Sequence, residues 1–305
     1  MGLLDTLASI SQAHPFLVAA GVLVSAAVLT TIVEVRAHKR FTSQRVRAAL
    51  PHGELIPVND RVWHVGGTAY MMPFVKFGRS MIVVRNEAGD LTLLNAVRLS
   101  EEGERELLAL GKIAHVITLN SVHGIDLPYY MDKFKPTLWA PPGKAEYLAG
   151  KGLKADRELR VGEELPFEDA HLFEINPASL RTKMCEFLVV LEREKALVSC
   201  DAFQNITDLA GATLLGSLMM RQMGFVVPHS IGPGWLMMAK ATAKEAEKAV
   251  EAGEPRFALV AEFERLLADE DWENLLPGHG YASTNNTARE GLKACMRRTW
   301  PKWCK

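Results

Sequence analysis

The sequence predicts an α/β (α+β) chain preceded by one membrane-crossing helix, and three observations predict it. Short apolar runs such as Ser80–Arg85 and Glu186–Ser199 alternate with amphipathic segments along most of the chain. An uncharged stretch, Pro15 to Val33, stands apart near the N-terminus. A polar loop with His123 and Asp126 follows the apolar strand at Ile113–Leu119, at the strand end where α/β proteins place their chemistry.

The chain has 305 residues, 48% hydrophobic and 23% charged, enough for one large domain or two small ones with a buried core. Its formal net charge of -1 excludes nucleic acid as the main partner, because phosphate binding needs a basic surplus. Cys185, Cys200, Cys295 and Cys304 are scattered without a CxxC pair, which points to free thiols in a reducing compartment. There is no Gly-rich phosphate loop and no internal repeat.

Residues 1–14 place Leu3, Leu4, Leu7 and Ile10 at helical spacing, an amphipathic lead. Met1-Gly2 with Thr6 also fits the loose myristoylation pattern. The stretch 15–36 is expected to be a transmembrane helix. Its uncharged part can cross a hydrocarbon core of about 30 Å, Pro15 suits a helix start, and Gly21 with Ser25 offers a small packing face before Val33. A cleaved signal peptide and a buried core helix are the competing readings. No Lys or Arg precedes the run, whereas Arg36 ends the stretch and Lys39 and Arg40 follow in a basic linker, 37–51. The positive-inside rule then puts the globular domain on the cytosolic side, or the matrix or stromal side of an organelle.

The soluble domain is expected over 52–290, with strands at Glu54–Val65, Ser80–Arg85 and Leu91–Asn95, the last two joined by a hairpin turn at Asn86–Asp90. Ser100 caps a helix over 100–110, ended by Gly111. After the His123 loop come a helix near Tyr129–Phe134, a strand at Thr137–Ala140 stopped by Pro141-Pro142-Gly143, and a helix at Lys144–Gly150. Glu164–Ile175 and Glu186–Ser199 supply strands, and Asp201 lies at the end of the second. Ala241–Leu267 is helical with breaks at Gly253 and Pro255, Trp272–Leu276 leads into Pro277-Gly278-His279-Gly280, and Thr287–Met296 closes the chain as a helix.

Three pieces in order, the His123–Asp126 loop, the strand ending at Asp201 and DWENLLPGHG with His279, resemble the metallo-β-lactamase superfamily. MIVVRNEAGDLTLLNAV, ALGKIAHVITLN, TLWAPPG and ALVSCDAFQN are similar to a little-characterised branch of it, over about residues 54–290. The resemblance implies an αββα sandwich, two β-sheets with helices on both outer faces. It also implies a two-metal site built from H-x-H-x-D-H, a later His, an Asp at a strand end and a His near the C-terminus. Matched residue by residue, Ser121 stands at the first His, His123 at the second, Ile125 at the Asp and Asp126 at the final His. Asn176-Pro177-Ala178-Ser179 holds no third His. The first metal then keeps only His123 and Asp201, fewer than the three protein ligands of a catalytic zinc. A site of Asp126, Asp201 and His279 remains, suited to one Zn, Mn or Fe ion, with no cofactor as the primary expectation.

Each survivor has a structural alternative. Asp126 suits the N-cap of the following helix, Asp201 a turn or a hydrogen bond to the Asn120 loop, and His279 a tight turn between glycines. Cys200 has nothing beside it in sequence that would activate a thiol. Leu209–Lys240, rich in Met and Gly, reads either as a lid over the pocket or as a surface for a membrane or protein partner. The tail 291–305 ends in Arg, Lys and Trp residues that suit a lipid headgroup layer, or solvent. The expected function is a membrane-anchored, catalytically inactive accessory subunit whose partners are lipid and other membrane-complex subunits. A mononuclear metal-dependent hydrolase of an ester, thioester or phosphodiester is the alternative.

Overall fold

The structure, a computed structural model, describes residues 15–72, 75–175, 185–209, 214–253 and 258–304. The expected amphipathic lead at 1–14 and the Asn176–Ser179 position lie outside them. Helix α1 runs Pro15–Ser43, past the expected boundary at 36. No helix among the described residues is long and apolar enough to cross a membrane.

A seven-stranded sheet follows. It takes β1 (Ile56–Pro57), β2 (Val62–Met72), β3 (Val75–Arg85) and β4 (Asp90–Leu94), then, after helix α2 (Glu101–Leu110), β5 (Lys112–Ile117). Helix α3 (Leu127–Phe134), β6 (Thr137–Ala140), helix α4 (Ala145–Ala149) and β7 (Arg157–Glu158) complete it, with strand order β1 to β7. The first four strands pair antiparallel, and β4 to β7 pair parallel. The expected strand Glu54–Val65 is split because Asn59 Oδ1 accepts the Arg61 and Val62 N–H groups, forming an Asx turn. Ser100 caps α2 by accepting the Gly103 N–H at 3.2 Å.

The second sheet takes β8 (Ala170–Ile175), β9 (Glu186–Leu191) and β10 (Ala196–Ser199). A small ribbon pairs β11 (Phe203–Gln204) with β12 (Ser230–Ile231), which flank helix α5 (Leu214–Gln222). Helices α6 (Pro233–Met238), α7 (Ala243–Glu251) and α8 (Ala258–Asp269) precede β13 (Asn274–Pro277), which joins β10 in parallel, and helix α9 (Ala288–Thr299) closes the chain.

Alternation along the strands produces the layers. Ile82, Val84 and Ile117 of one sheet meet Phe187, Val189 and Val198 of the other in a shared core. Val83, Leu93 and Val116 point the other way, onto Leu107 of α2 and Tyr130 of α3. Val190 and Leu197 point onto Trp235, Phe263 and Leu292 of α6, α8 and α9. The order is helix, sheet, sheet, helix, the αββα sandwich implied by the resemblance. In the tail, Arg297, Arg298 and Lys302 are exposed, but Trp300 differs from its expected place at a headgroup layer or in solvent. Trp300 is fully buried, packs on Phe263 and donates to Ala241 O at 2.9 Å.

Among the buried polar groups, His64 is one whose burial bears on acid stability. His64 on β2 is buried, and its Nε2 meets no partner among the described residues. Burial pushes its pKa down to about 4 from 6.5. Between those values the unfolded chain binds the extra proton, so stability rises with pH there and is lost as pH falls through 6.5 towards 4. His64→Leu is expected to flatten that acid limb by up to about 3 kcal/mol. Urea unfolding at pH 7 and pH 4.5 checks this; an unchanged slope against pH would refute it.

Candidate metal centre

Three chain segments end at one place. The loop after β5 carries His123, the turn after β10 carries Asp201 and the turn after β13 carries His279. Among the described residues these are the one group of three or more His, Cys, Asp or Glu residues with donor atoms together, all within 4.8 Å. His123 Nε2 lies 2.9 Å from Asp201 Oδ2, and His279 Nε2 lies 3.0 Å from Asp201 Oδ1. The two imidazole Nε2 atoms are 3.3 Å apart. Donors on a tetrahedron around zinc, at about 2.0–2.1 Å, stand about 3.3 Å apart, so the set fits one ion.

Proton counting points the same way. His279 Nδ1 is 2.6 Å from Gly78 O, and a carbonyl only accepts, so Nδ1 carries the hydrogen. A neutral His279 therefore turns a bare Nε2 lone pair towards a carboxylate oxygen and a second imidazole. The facing atoms need a hydrogen or a cation between them: an Nε2–H of His123, a proton on the His279 ring or a metal ion.

The surroundings orient each donor. Asn120 Nδ2 donates to Asp201 Oδ2 at 2.6 Å, while its Oδ1 accepts the Val122 and His123 N–H groups. The hydrogen bond between Asp201 and the Asn120 loop is thus present. Burial opposes ionisation of Asp201, but His123 and His279 outweigh it and hold the carboxyl well below the usual range. Glu186 lies beneath the turn and accepts the Cys200, Asp201 and Ala202 N–H groups. Burial, with the Asp201 charge adding to it, pushes Glu186 up to about 8 against those backbone bonds.

Lys144 is the buried prop under His123. Its Nζ donates to Thr118 Oγ1 at 2.9 Å, Asn120 O at 2.5 Å and His123 O at 2.5 Å, while burial pulls its pKa down to about 7. Lys144→Met strands these acceptors at about 1–3 kcal/mol each and is expected to loosen the His123 loop. The measurable result is a lower urea midpoint together with weaker zinc affinity. Unchanged affinity would show that Lys144 does not position His123.

Asp126 is not a member of the cluster, which corrects its place in the expected Asp126–Asp201–His279 site. It sits at the N-cap position of α3 without capping it through its side chain. The carboxylate instead pairs with Arg79 and accepts the Arg98 N–H at 2.7 Å. His123, the ligand expected in the first of two metal positions, joins Asp201 and His279 here. The three donors come to one point because β5 lies in one sheet and β10 and β13 in the other.

Sequence spacing does not mark Asn120, Gly78, Arg79, Lys144 or Glu186 as site residues. Only Lys144, a cation directly after a Pro-Pro-Gly stop, carries a local signal. Cys200 is fully buried, and burial holds its thiol well above the usual range, unsuited to a nucleophile. Of the anchor residues, Pro15 opens α1, and Ser25 and Val33 are exposed, while the side chains of Pro15 and Gly21 lie outside the described set. Arg36, Lys39 and Arg40 are exposed towards the end of α1.

The donors line a cavity of about 430 Å³. Its walls include Tyr70, Phe77, Phe225, Met237 and Met238, so part of Leu209–Lys240 serves as the lid.

No protein-family model matches the chain. No curated protein matches it. Among solved structures it is similar to DIM-1 metallo-β-lactamase exposed to ceftazidime, at 12% identity and a TM-score of 0.49, over 82% of this chain and 99% of that one. TMB-1 shows 12% identity and a TM-score of 0.47 over 82% and 99%. FIM-1 from Pseudomonas aeruginosa, in its mono-zinc form, shows 11% identity and a TM-score of 0.46 over 81% and 98%. At these values the likeness decides nothing about chemistry, and the αββα architecture rests on the layers described above.

Proposed function

We propose that the chain is a single-metal hydrolase of an ester, thioester or phosphodiester, holding Zn, Mn or Fe on His123, Asp201 and His279. One observation carries this reading: the Nε2 atoms of His123 and His279 and the Asp201 carboxylate converge on one point, with the His279 ring oriented by its Nδ1 contact to Gly78 O. Two imidazoles and one carboxylate form the donor set of single-metal hydrolytic sites that leave a position open. A bound ion would polarise the scissile carbonyl or phosphoryl group and lower the pKa of water. The residues supply orientation. Asn120 fixes the Asp201 carboxylate, Gly78 fixes the His279 ring, and the apolar walls restrict water.

A second reading, a membrane-tethered accessory subunit, is favoured by the exposed apolar residues of α1. Elemental analysis of the purified full chain separates the two, followed by a screen of chromogenic esters, thioesters and phosphodiesters with and without chelator. Near-stoichiometric metal and chelator-sensitive turnover are expected of the hydrolase. A folded chain that takes up no metal from excess zinc would leave the accessory reading.

A further inference from the structure

The cavity above the metal centre is polar at its floor and apolar at its walls and rim. Its mouth is formed by two elements that are themselves short of apolar partners. On one side stands Tyr70, a wall residue whose ring also meets Phe41 of α1 at 5.6 Å and His38 at 6.0 Å. Lys76 joins this contact, 5.1 Å above the Tyr70 ring and paired with Glu34 of α1 at 3.9 Å. Helix α1 is therefore docked beside the entrance. On the other side stands the lid, where Met223, Met237 and Met238 line the cavity while remaining 49%, 54% and 43% exposed.

Beyond Tyr70 the helix carries Leu23, Val24, Val28, Leu29, Ile32 and Val33, all exposed. Their spacing covers the whole circumference, and such a helix requires an apolar environment. The next turns bear exposed Arg36, Lys39 and Arg40. An apolar segment followed by a band of cations matches the acyl and headgroup levels of an anionic lipid layer, and no neutral or cationic surface would use those charges. Tyr70, on which α1 packs, and the methionine rim line one cavity.

We propose that this mouth rests on an anionic lipid surface and that the cavity takes the acyl chain of an amphiphile drawn from it. The cavity volume of about 430 Å³ lies within the roughly 300–1,000 Å³ of small-ligand sites. The flexible, polarisable methionines adapt to a chain without fixed shape. This deepens the hydrolase reading by naming its substrate class, and it rests on that reading only for the bond cut beside the metal, not for binding.

The test uses the full chain with vesicles of phosphatidylcholine alone or mixed with phosphatidylglycerol, plus a photoreactive fatty acid, and zinc content measured on the same preparation. Sedimentation with the mixed vesicles is expected to exceed that with phosphatidylcholine alone. The triple variant Arg36→Gln, Lys39→Gln and Arg40→Gln should bind mixed vesicles more weakly by about 100-fold, given the worth of a cation at an anionic surface. After irradiation, label is expected on peptides holding Tyr70 or Met237 and Met238. The exposed double substitution Met237→Asp and Met238→Asp should lower that label without changing the thermal transition. Equal binding to both vesicle types, label confined to α1, or dimerisation through α1 in place of vesicle binding would each overturn the proposal. Label at the cavity in a chain that holds no zinc would refute the hydrolase and leave the acyl site standing. Zinc without vesicle binding or cavity label would do the reverse.

Discussion

Asp201→Ala is expected to remove the metal from the protein while leaving the chain folded. Asp201 touches both imidazoles, through separate oxygens at 2.9 and 3.0 Å. Removing it leaves two imidazole nitrogens, one donor short of the three protein ligands of a single-ion hydrolytic site. Loss of an orienting partner alone lowers metal affinity about 10–100-fold, so loss of a ligand should exceed that range. The chain should still fold, less stably by about 1–3 kcal/mol for the Asn120 amide left unpaired, a cost offset in part because a buried carboxylate is removed with it. Competition against a chromophoric chelator measures the affinity, and circular dichroism checks the fold. His279→Ala and His123→Ala should show the same loss. Wild-type zinc stoichiometry in any of the three folded variants would refute the three-donor centre.

Gly280→Ala is expected to be among the most damaging single-methyl additions in the chain. Gly280 has a φ of +92°, and a Cβ there would stand 1.9 Å from Asn205 O and 2.3 Å from its carbonyl carbon. The left-handed conformation costs a non-glycine residue about 1–3 kcal/mol. Forcing backbone apart adds about 1–3 kcal/mol. Both penalties fall on the turn that holds His279, whose neighbour Gly278 already sits with Cys200 backbone at 2.8 Å from where a Cβ would be. The urea midpoint should drop, and zinc affinity should fall with it, because His279 Nε2 shifts against Asp201. An unchanged midpoint would show that Asn205 yields freely. An unchanged zinc affinity would show that the turn does not set the His279 position.

Much of the architecture was legible in the order of residues alone. Helix α2 with its Ser100 cap, the strands over Ser80–Arg85 and Glu186–Ser199, and the closing helix are local features, set by periodicity, turn chemistry and capping within a few residues. His123, Asp201 and His279 were likewise visible as polar residues at the ends of apolar strands. Which of them share an ion was not. Asp126 lies three residues from His123 in sequence, yet its carboxylate pairs with Arg79, from a strand far earlier in the chain. Glu186 has an ordinary local context and Lys144 only its place after a Pro-Pro-Gly stop, and their roles exist only because the loops above them are folded onto them. The tail shows the same limit: a cation-and-tryptophan pattern suits a headgroup layer, but α9 folds back and buries Trp300 against Phe263. Local sequence therefore determined the elements and the chemistry on offer, because hydrogen-bond periodicity and side-chain type are short-range properties. Tertiary structure decided which donors meet, because that depends on two sheets packing face to face and bringing strand ends from distant parts of the chain to one edge.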